Sequence, residues 1–448
     1  MKHIFLLLFL YLFAATSFGQ TPDTLRFTLV EAITYAVENN LQLKRVQLNE
    51  EGNRFKIKEL KSSALPQING TGAATDNFKR GSQLLPGDLM GQPGTTIPVQ
   101  FGTRFNYGST VQLSQTIYNP SLRTGLQAAK ESQALYQLQT FASKEELVYN
   151  LVDAYMQLQM SQKQKKLIEG NLERTAKLRE ITNEQFKEGI VKKVDVDQIG
   201  VNYINLETQL SNTINTISQL LNSIKLLMNV DVEQPIAITG AGTKPLPVTK
   251  QLYLNANTEL SIAEQQIQLQ QLNTENIKAS YLPTVSLGAN YGRQWQTNEL
   301  LKSSATTGMS SGSYSLNVSI PLFDGNAKRH KIAQSNIALK QLQLDKESLT
   351  KSIKNEFQTA LNTLNQNQRV LQAQLQNMRV AEDLYNVARL SYTEGITPLT
   401  ELINAENSLR EAQSQYLTAM LQTNLSELNM MRSSGQLSQL LQGNSSTK

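Results

Sequence analysis

Residues 357–392 read FQTALNTLNQNQRVLQAQLQNMRVAEDLYNVARLSY, and Phe357, Leu364, Leu371, Met378, Tyr385 and Tyr392 fall seven apart without a miss. A seven-residue apolar repeat marks a helix packed along its length in a left-handed supercoil. The stretch extends without glycine or proline from Ala327 to Glu394, so nothing in it interrupts a helix. At 1.5 Å per residue such a helix is roughly 100 Å long, far more than a globular domain requires.

Working outward, Glu394-Gly395 ends the rod, glycine being the usual left-handed cap residue. A further helix from Pro398 to about Arg432 places Leu402, Leu409, Tyr416 and Met430 on one seam and Ala405, Ala412 and Ala419 on the other. The same plan stands earlier in the chain. A long helix opens at Asn119-Pro120-Ser121 and closes at Glu188-Gly189, 206 positions before Glu394-Gly395. The next helix carries Val196, Tyr203, Leu210, Ile217 and Ile224 on one seam and Ile199, Leu206, Leu220 and Leu227 on the other. Lys165 and Arg179 interrupt the first rod's heptads. Helical patterns over Thr28–Ser63 and Leu252–Tyr281 end at Leu65-Pro66 and Leu282-Pro283.

Alternating segments precede each rod. Phe105, Tyr107, Val111, Leu113 and Ile117 share one parity against Asn106, Gln112, Ser114 and Thr116; Val285, Leu287, Ala289, Tyr291 and Trp295 do so against Ser286, Gly288, Asn290 and Gln294. Residues 66–77 alternate weakly. Tyr314, Leu316, Val318, Ile320 and Leu322 complete a fourth strand over 312–323, after a loop from Asn298 to Gly312. The spacing predicts helix, strand, strand, long helix, helix, written twice: a first repeat over 20–230 (strands 66–77 and 104–118) and a second over 252–435 (strands 283–297 and 312–323). A linker lies at 231–251, a tail at 436–448, and a loop at Phe78–Thr103.

Four amphipathic strands with Ser, Asn, Gln, Gly and Thr on one face suit either a sheet packed on helices or part of a barrel with a wet lumen. Four strands cannot close alone and open edges do not survive in a bilayer, so a membrane role requires two, three or four copies. Tyr107, Tyr291, Trp295 and Tyr314 are placed for an aromatic belt near the loop ends.

Residues 1–19 read as a signal peptide, with Lys2, an apolar run from Ile4 to Phe13, and small residues Ser17 and Gly19; the run is too short for a membrane anchor. There is no cysteine, and His330 is the one histidine outside the leader, which excludes disulfides, thiolate sites and histidine-based catalysis or metal clusters. A net charge of +5 over 448 residues is no nucleic-acid footprint. No phosphate loop or paired-carboxylate pocket is present, so neither an enzyme nor a cofactor is expected.

The duplicated plan, the Leu-Pro entries to the strands, Phe323-Asp324-Gly325 before the rod, and Glu-Gly-Ile at 188–190 and 394–396 resemble the TolC-like outer-membrane efflux proteins over essentially the whole mature chain. The resemblance implies a mainly α fold with a transmembrane β-barrel part: a homotrimer with a 12-stranded barrel in outer-membrane lipid and a periplasmic α-helical coiled-coil tunnel. It also implies an exit duct of a tripartite efflux or type I secretion system, served by an inner-membrane transporter and a periplasmic adaptor. The alternative is a periplasmic coiled-coil adaptor, disfavoured by two strand sets and a doubled hairpin.

Two sets of site residues follow from the resemblance. The turns with Gly189, Ile190, Gly395 and Ile396 are candidates for adaptor docking at the periplasmic end. Glu401 occupies the place of one of two aspartates that ring the family's periplasmic constriction. The second place is Asn404, which removes a charge per chain, and Asp195 is the first-repeat counterpart of Glu401. Carboxylates in a first helical turn are also favoured by the helix dipole, by about 0.3–1 kcal/mol.

Overall fold

The computed structural model describes residues 24–239, 248–300 and 307–442; the expected leader, part of the linker and the end of the tail lie outside them. In chain order the elements are β1 (Leu25–Phe27), α1 (Leu29–Asn39), α2 (Leu41–Ser62), β2 (Gln67–Asp76), β3 (Ser82–Pro86), β4 (Thr96–Gln100), β5 (Phe105–Tyr118), α3 (Pro120–Lys187) and α4 (Lys193–Met228). There follow β6 (Ile236–Ile238), α5 (Thr258–Ala279), β7 (Thr284–Thr297), β8 (Thr307–Ser319), α6 (Ala327–Thr393), α7 (Leu399–Ser434) and the short α8 (Gln439–Gln442).

Repeat symmetry shows in the element lengths. The rods α3 and α6 have 68 and 67 residues, α4 and α7 have 36 each, and α2 and α5 have 22 each. Pro120 sits at the first helical position of α3, where its missing N–H costs nothing, and Asn119 Oδ1 accepts from the Leu122 N–H at 3.2 Å. Asp324 Oδ2 similarly accepts from the Lys328 N–H at 3.1 Å, beside the start of α6.

The chain divides into two compact units. One comprises Met1–Leu48, Gln137–Ile262 and Lys346–Lys448. Its core gathers around the middle of α3, where Val148, Leu151, Val152 and Leu158 are fully buried against Ala36 of α1, Ile224 of α4 and Leu428 of α7. That segment is buried nearly all round because it carries apolar residues off the heptad positions as well as on them. The other unit comprises Asn49–Tyr136 and Ala263–Asp345 and holds an antiparallel sheet in the order β2-β5-β7-β8. Its register pairs Tyr107 with Trp295, Val111 with Tyr291, and Leu287 with Leu316.

Several boundaries differ from the sequence reading, each for a local reason. The first helix breaks at Asn40, whose Nδ2 donates to the Leu227 carbonyl at 2.9 Å while its Oδ1 accepts from the Leu43 N–H at 2.9 Å; an asparagine bonding the backbone in this way competes with helix continuation. The helix expected from Leu252 begins at Thr258, capped by Asn257 Oδ1 on the Leu260 N–H at 2.9 Å. The fourth strand runs over Thr307–Ser319 rather than 312–323. Pairing of Thr284 with Ser319 and of Gln296 with Thr307 sets those limits, and Pro321, which has no N–H, cannot extend the ladder. Tyr314 therefore stands in mid-strand opposite Ala289, and Tyr291 is mid-strand too, so only Tyr107 and Trp295 of the expected belt lie near the loop end. The loop at 78–103 contains a hairpin of β3 with β4, the linker contributes β6 in parallel with β1, and Leu437 of the tail is buried.

Candidate functional site: the paired turns and the four-stranded sheet

Both Glu-Gly turns adopt one geometry. Gly189 has φ +76° and Gly395 φ +72°. The Ile190 N–H donates to the Gln185 carbonyl at 2.8 Å and the Gly189 N–H to Phe186 at 3.0 Å; the Ile396 N–H donates to Ser391 at 2.8 Å and the Gly395 N–H to Tyr392 at 3.0 Å. These six-to-one and five-to-two bonds are Schellman caps. A hydrophobic residue following such a cap usually folds back on its own helix. Here Ile190 and Ile396 are instead 66% and 75% exposed, which leaves two apolar side chains at the tips for another surface.

Beneath the tips, Ile199 of α4 packs with Leu399, Leu402 and Ile403 of α7, flanked by Leu178, Tyr385 and Tyr392. The Tyr392 hydroxyl donates to Gln185 Oε1 at 2.7 Å, tying the ends of the two rods. Arg179, which interrupts the first seam, lies 4.7 Å from the Tyr203 ring. Deeper in, Thr175 donates its hydroxyl to Glu406 Oε1 at 3.0 Å, and both residues are buried. The Arg174 guanidinium lies 5.9 Å from the Tyr385 ring, and burial together with the Glu406 carboxylate pushes the Tyr385 hydroxyl up. Sequence reasoning missed Glu406; its place between Ala405 and Leu409 on the seam side of α7 was the available signal.

The expected constriction residues separate. Asp195 is half-buried, and its Oδ2 accepts from the Lys192 N–H at 3.1 Å, closing the start of α4. Glu401 and Asn404 are exposed, three residues apart on one face of α7, while Leu402 and Ile403 between them are buried. Elsewhere in the same unit, a cavity of about 660 Å³ is lined by Glu145, Glu146, Glu259, Glu356 and Arg432 among others. Two of its carboxylates are engaged locally, Glu145 accepting from Thr258 at 2.6 Å and Glu146 pairing with Arg432 at 3.1 Å.

The sheet segregates its faces. One face carries Ile68, Val111, Leu113, Leu287, Tyr291, Leu316 and Val318; the other carries Asn69, Thr71, Gln112, Asn290, Ser313 and Asn317. Among the described residues, the edge strands β2 and β8 have no partner beyond the sheet. Apolar stripes are uncovered on the helices as well: Val380, Leu384 and Val387 of α6 are 50–65% exposed, as are Val194, Val201 and Ile204 of α4 at 56–63%.

The model of the outer membrane efflux protein family matches residues 32–230 and 250–436. The chain belongs to this family. It is 22% identical to the outer membrane protein TolC of Salmonella enteritidis over 431 residues, covering 92% of this chain and 82% of the relative. To the toluene efflux pump outer membrane protein TtgC of Pseudomonas putida it is 22% identical over 423 residues, covering 91% and 82%. Among solved structures it shares the fold of VceC from Vibrio cholerae (TM-score 0.73, 15% identity, covering 91% of this chain and 96% of that one). It likewise shares the fold of the Campylobacter jejuni CmeC outer membrane channel (TM-score 0.73, 16% identity, covering 91% and 85%). The family is one of outer-membrane efflux channels, not enzymes, and this sets aside the adaptor reading.

Proposed function

We propose that three copies of this chain close a twelve-stranded barrel in the outer membrane and continue as a periplasmic helical duct. The duct is the exit of a tripartite efflux or type I secretion system, receiving substrates from an inner-membrane transporter through a periplasmic adaptor. The observation that carries the reading is the sheet itself, with four strands, two edges unpaired among the described residues, and one apolar face. In a bilayer those edges must be paired, and copies of the same sheet pair β8 of one with β2 of the next. The uncovered stripes on α4 and α6 have the residue chemistry of a helix–helix contact, which fits neighbouring copies in the duct. The polar, uncharged second face fits a water-filled lumen.

Within this reading Gly189, Ile190, Gly395 and Ile396 form the tips that meet the adaptor, and Glu401 with Asn404 lines the narrow periplasmic end. Asp195 acts as a helix cap with a secondary place in that ring. Residues 1–19 direct export and are removed, and the two repeats with their linker are the folding plan. Cysteines introduced as I190C or I396C should crosslink to a periplasmic adaptor in cells producing both proteins. Labelling of either cysteine by an impermeant reagent from outside intact cells would refute the assignment.

A further inference from the structure

Only two residues within β2, β5, β7 and β8 carry a charge, Asp76 and Arg293. Asp76 is satisfied: Arg104 Nε meets its Oδ1 at 3.0 Å. Arg293 is exposed and has no ion-pair partner among the described residues. It stands on the apolar face, in register with Ser109 on β5 and Ser310 on β8. Its guanidinium lies 5.2 Å from the ring of Trp295, two residues on along the same face. Gly308, opposite Trp295, leaves the room for both: a Cβ there would come within 3.2 Å of the indole and 3.5 Å of Arg293 Nε.

A cation on the lipid-facing side of a barrel is costly at the midplane and nearly free at the interface. Arg293 is nine residues from Thr284, roughly 30 Å along the strand at 3.3 Å per residue. At a strand tilt of about 40° this is roughly 23 Å of height, close to the edge of an apolar band about 25 Å tall. An arginine there extends its stem along apolar surface and presents its head at headgroup level. Tryptophan belongs to the same boundary, and the stacked pair holds the planar donor fork in place. Both strands beside β7 belong to the same chain and offer only serines at this level, so the fork is left with donors and no anion.

We propose that Arg293, set by Trp295 and flanked by the Ser109 and Ser310 hydroxyls, binds the phosphate of a lipid headgroup in the outer leaflet. Guanidinium matches phosphate oxygens in a bidentate arrangement, and serine hydroxyls supply further donors. The inference rests on the barrel reading above, which makes the apolar face the lipid-facing one.

Trp295 is the only tryptophan in the chain, so its fluorescence reports this site alone. The oligomer is reconstituted in phosphatidylcholine vesicles, with diphosphoryl lipid A, dephosphorylated lipid A or inorganic phosphate added in separate arms. Diphosphoryl lipid A should change Trp295 emission saturably and the other two should not. R293Q should weaken that response about tenfold or more, the loss of a charge-assisted pair, with R293K intermediate. Equal responses from R293Q and the unmodified protein would overturn the site, and an equal response to inorganic phosphate would overturn the lipid as its source. A parallel arm with brominated phosphatidylcholine tests the barrel reading: quenching of Trp295 in both proteins is expected. Absence of quenching would remove both the lipid-facing assignment and the site, whereas quenching with an unchanged R293Q response would remove the site alone.

Discussion

Replacing Gly395 by alanine separates backbone strain from packing, because three glycines hold the same cap in different surroundings. Gly189, Gly395 and Gly435 have φ +76°, +72° and +80°. Each is followed by a residue whose N–H closes the six-to-one bond: Ile190 to Gln185, Ile396 to Ser391, Gln436 to Met431. An alanine at any of them takes on the left-handed penalty of about 1–2 kcal/mol. At Gly189 and Gly395 an added Cβ meets nothing within 4 Å, so that penalty is the whole cost. At Gly435 the Cβ would come within 3.1 Å of the Tyr253 carbonyl oxygen and 3.4 Å of the Ala256 carbonyl carbon. Those are backbone atoms, which cannot swing aside, and overpacking adds about 1–3 kcal/mol. G395A should therefore speed hydrogen exchange in the peptide containing the Ile396 amide by about five- to thirtyfold. G435A should have the larger effect around Gln436, and G395N should stay close to the unmodified protein, since asparagine visits this region readily. If G395A exchanges like the unmodified protein, or costs more than G435A, the caps are not held as described.

Four further outcomes concern the unit that holds α4 and α7. T175V keeps the volume but removes the donor to the buried Glu406 carboxylate; it should destabilise local packing of α7 by about 1–3 kcal/mol, with E406Q/T175V milder than T175V alone in a double-mutant cycle read by hydrogen exchange. Burial holds the Glu145 carboxyl above its ordinary range, opposed by the Thr258 hydroxyl bond and assisted by Glu259. An acid with a raised folded pKa favours the fold when protonated, so this group's contribution is present at low pH and lost as pH rises through its folded pKa. E145Q should accordingly raise thermal stability at neutral pH and flatten the dependence through the acidic range; an unchanged pH profile would count against it. E401A should lower cation selectivity and weaken block by multivalent cations in planar bilayers at a stability cost no larger than the helix-dipole contribution of about 0.3–1 kcal/mol, whereas D195A should lose in addition the Lys192 bond at the start of α4, about 0.5–1.5 kcal/mol. Unchanged selectivity in E401A would leave Glu401 as a helix-terminus charge only.

The rods, their Glu-Gly ends and the second helices were legible because helix interruption and heptad spacing are local and strong signals. The strands were legible by parity, but the limits of β8 were not: they depend on which residues of β7 it faces, a long-range register that alternation alone does not contain. The break at Asn40 escaped for a similar reason, since its side chain bonds Leu227, 187 positions away. Pairing of β1 with β6 joins Leu25–Phe27 to Ile236–Ile238, two three-residue strands too short to show a pattern. Arg179 looked like a defect in a seam and proved to stack on Tyr203. Of the three candidates for a constriction, Asp195 is engaged as a cap, while Glu401 and Asn404 share an exposed face, a distinction that sequence position alone could not make.

The most direct test of the central claim is the mass of the detergent-solubilised particle by multi-angle light scattering, with circular dichroism on the same sample. Three chains per particle with strand signal intact is the predicted result, because only added copies can pair the free edges of β2 and β8. A monodisperse single chain retaining that strand signal would contradict the barrel and, with it, the duct.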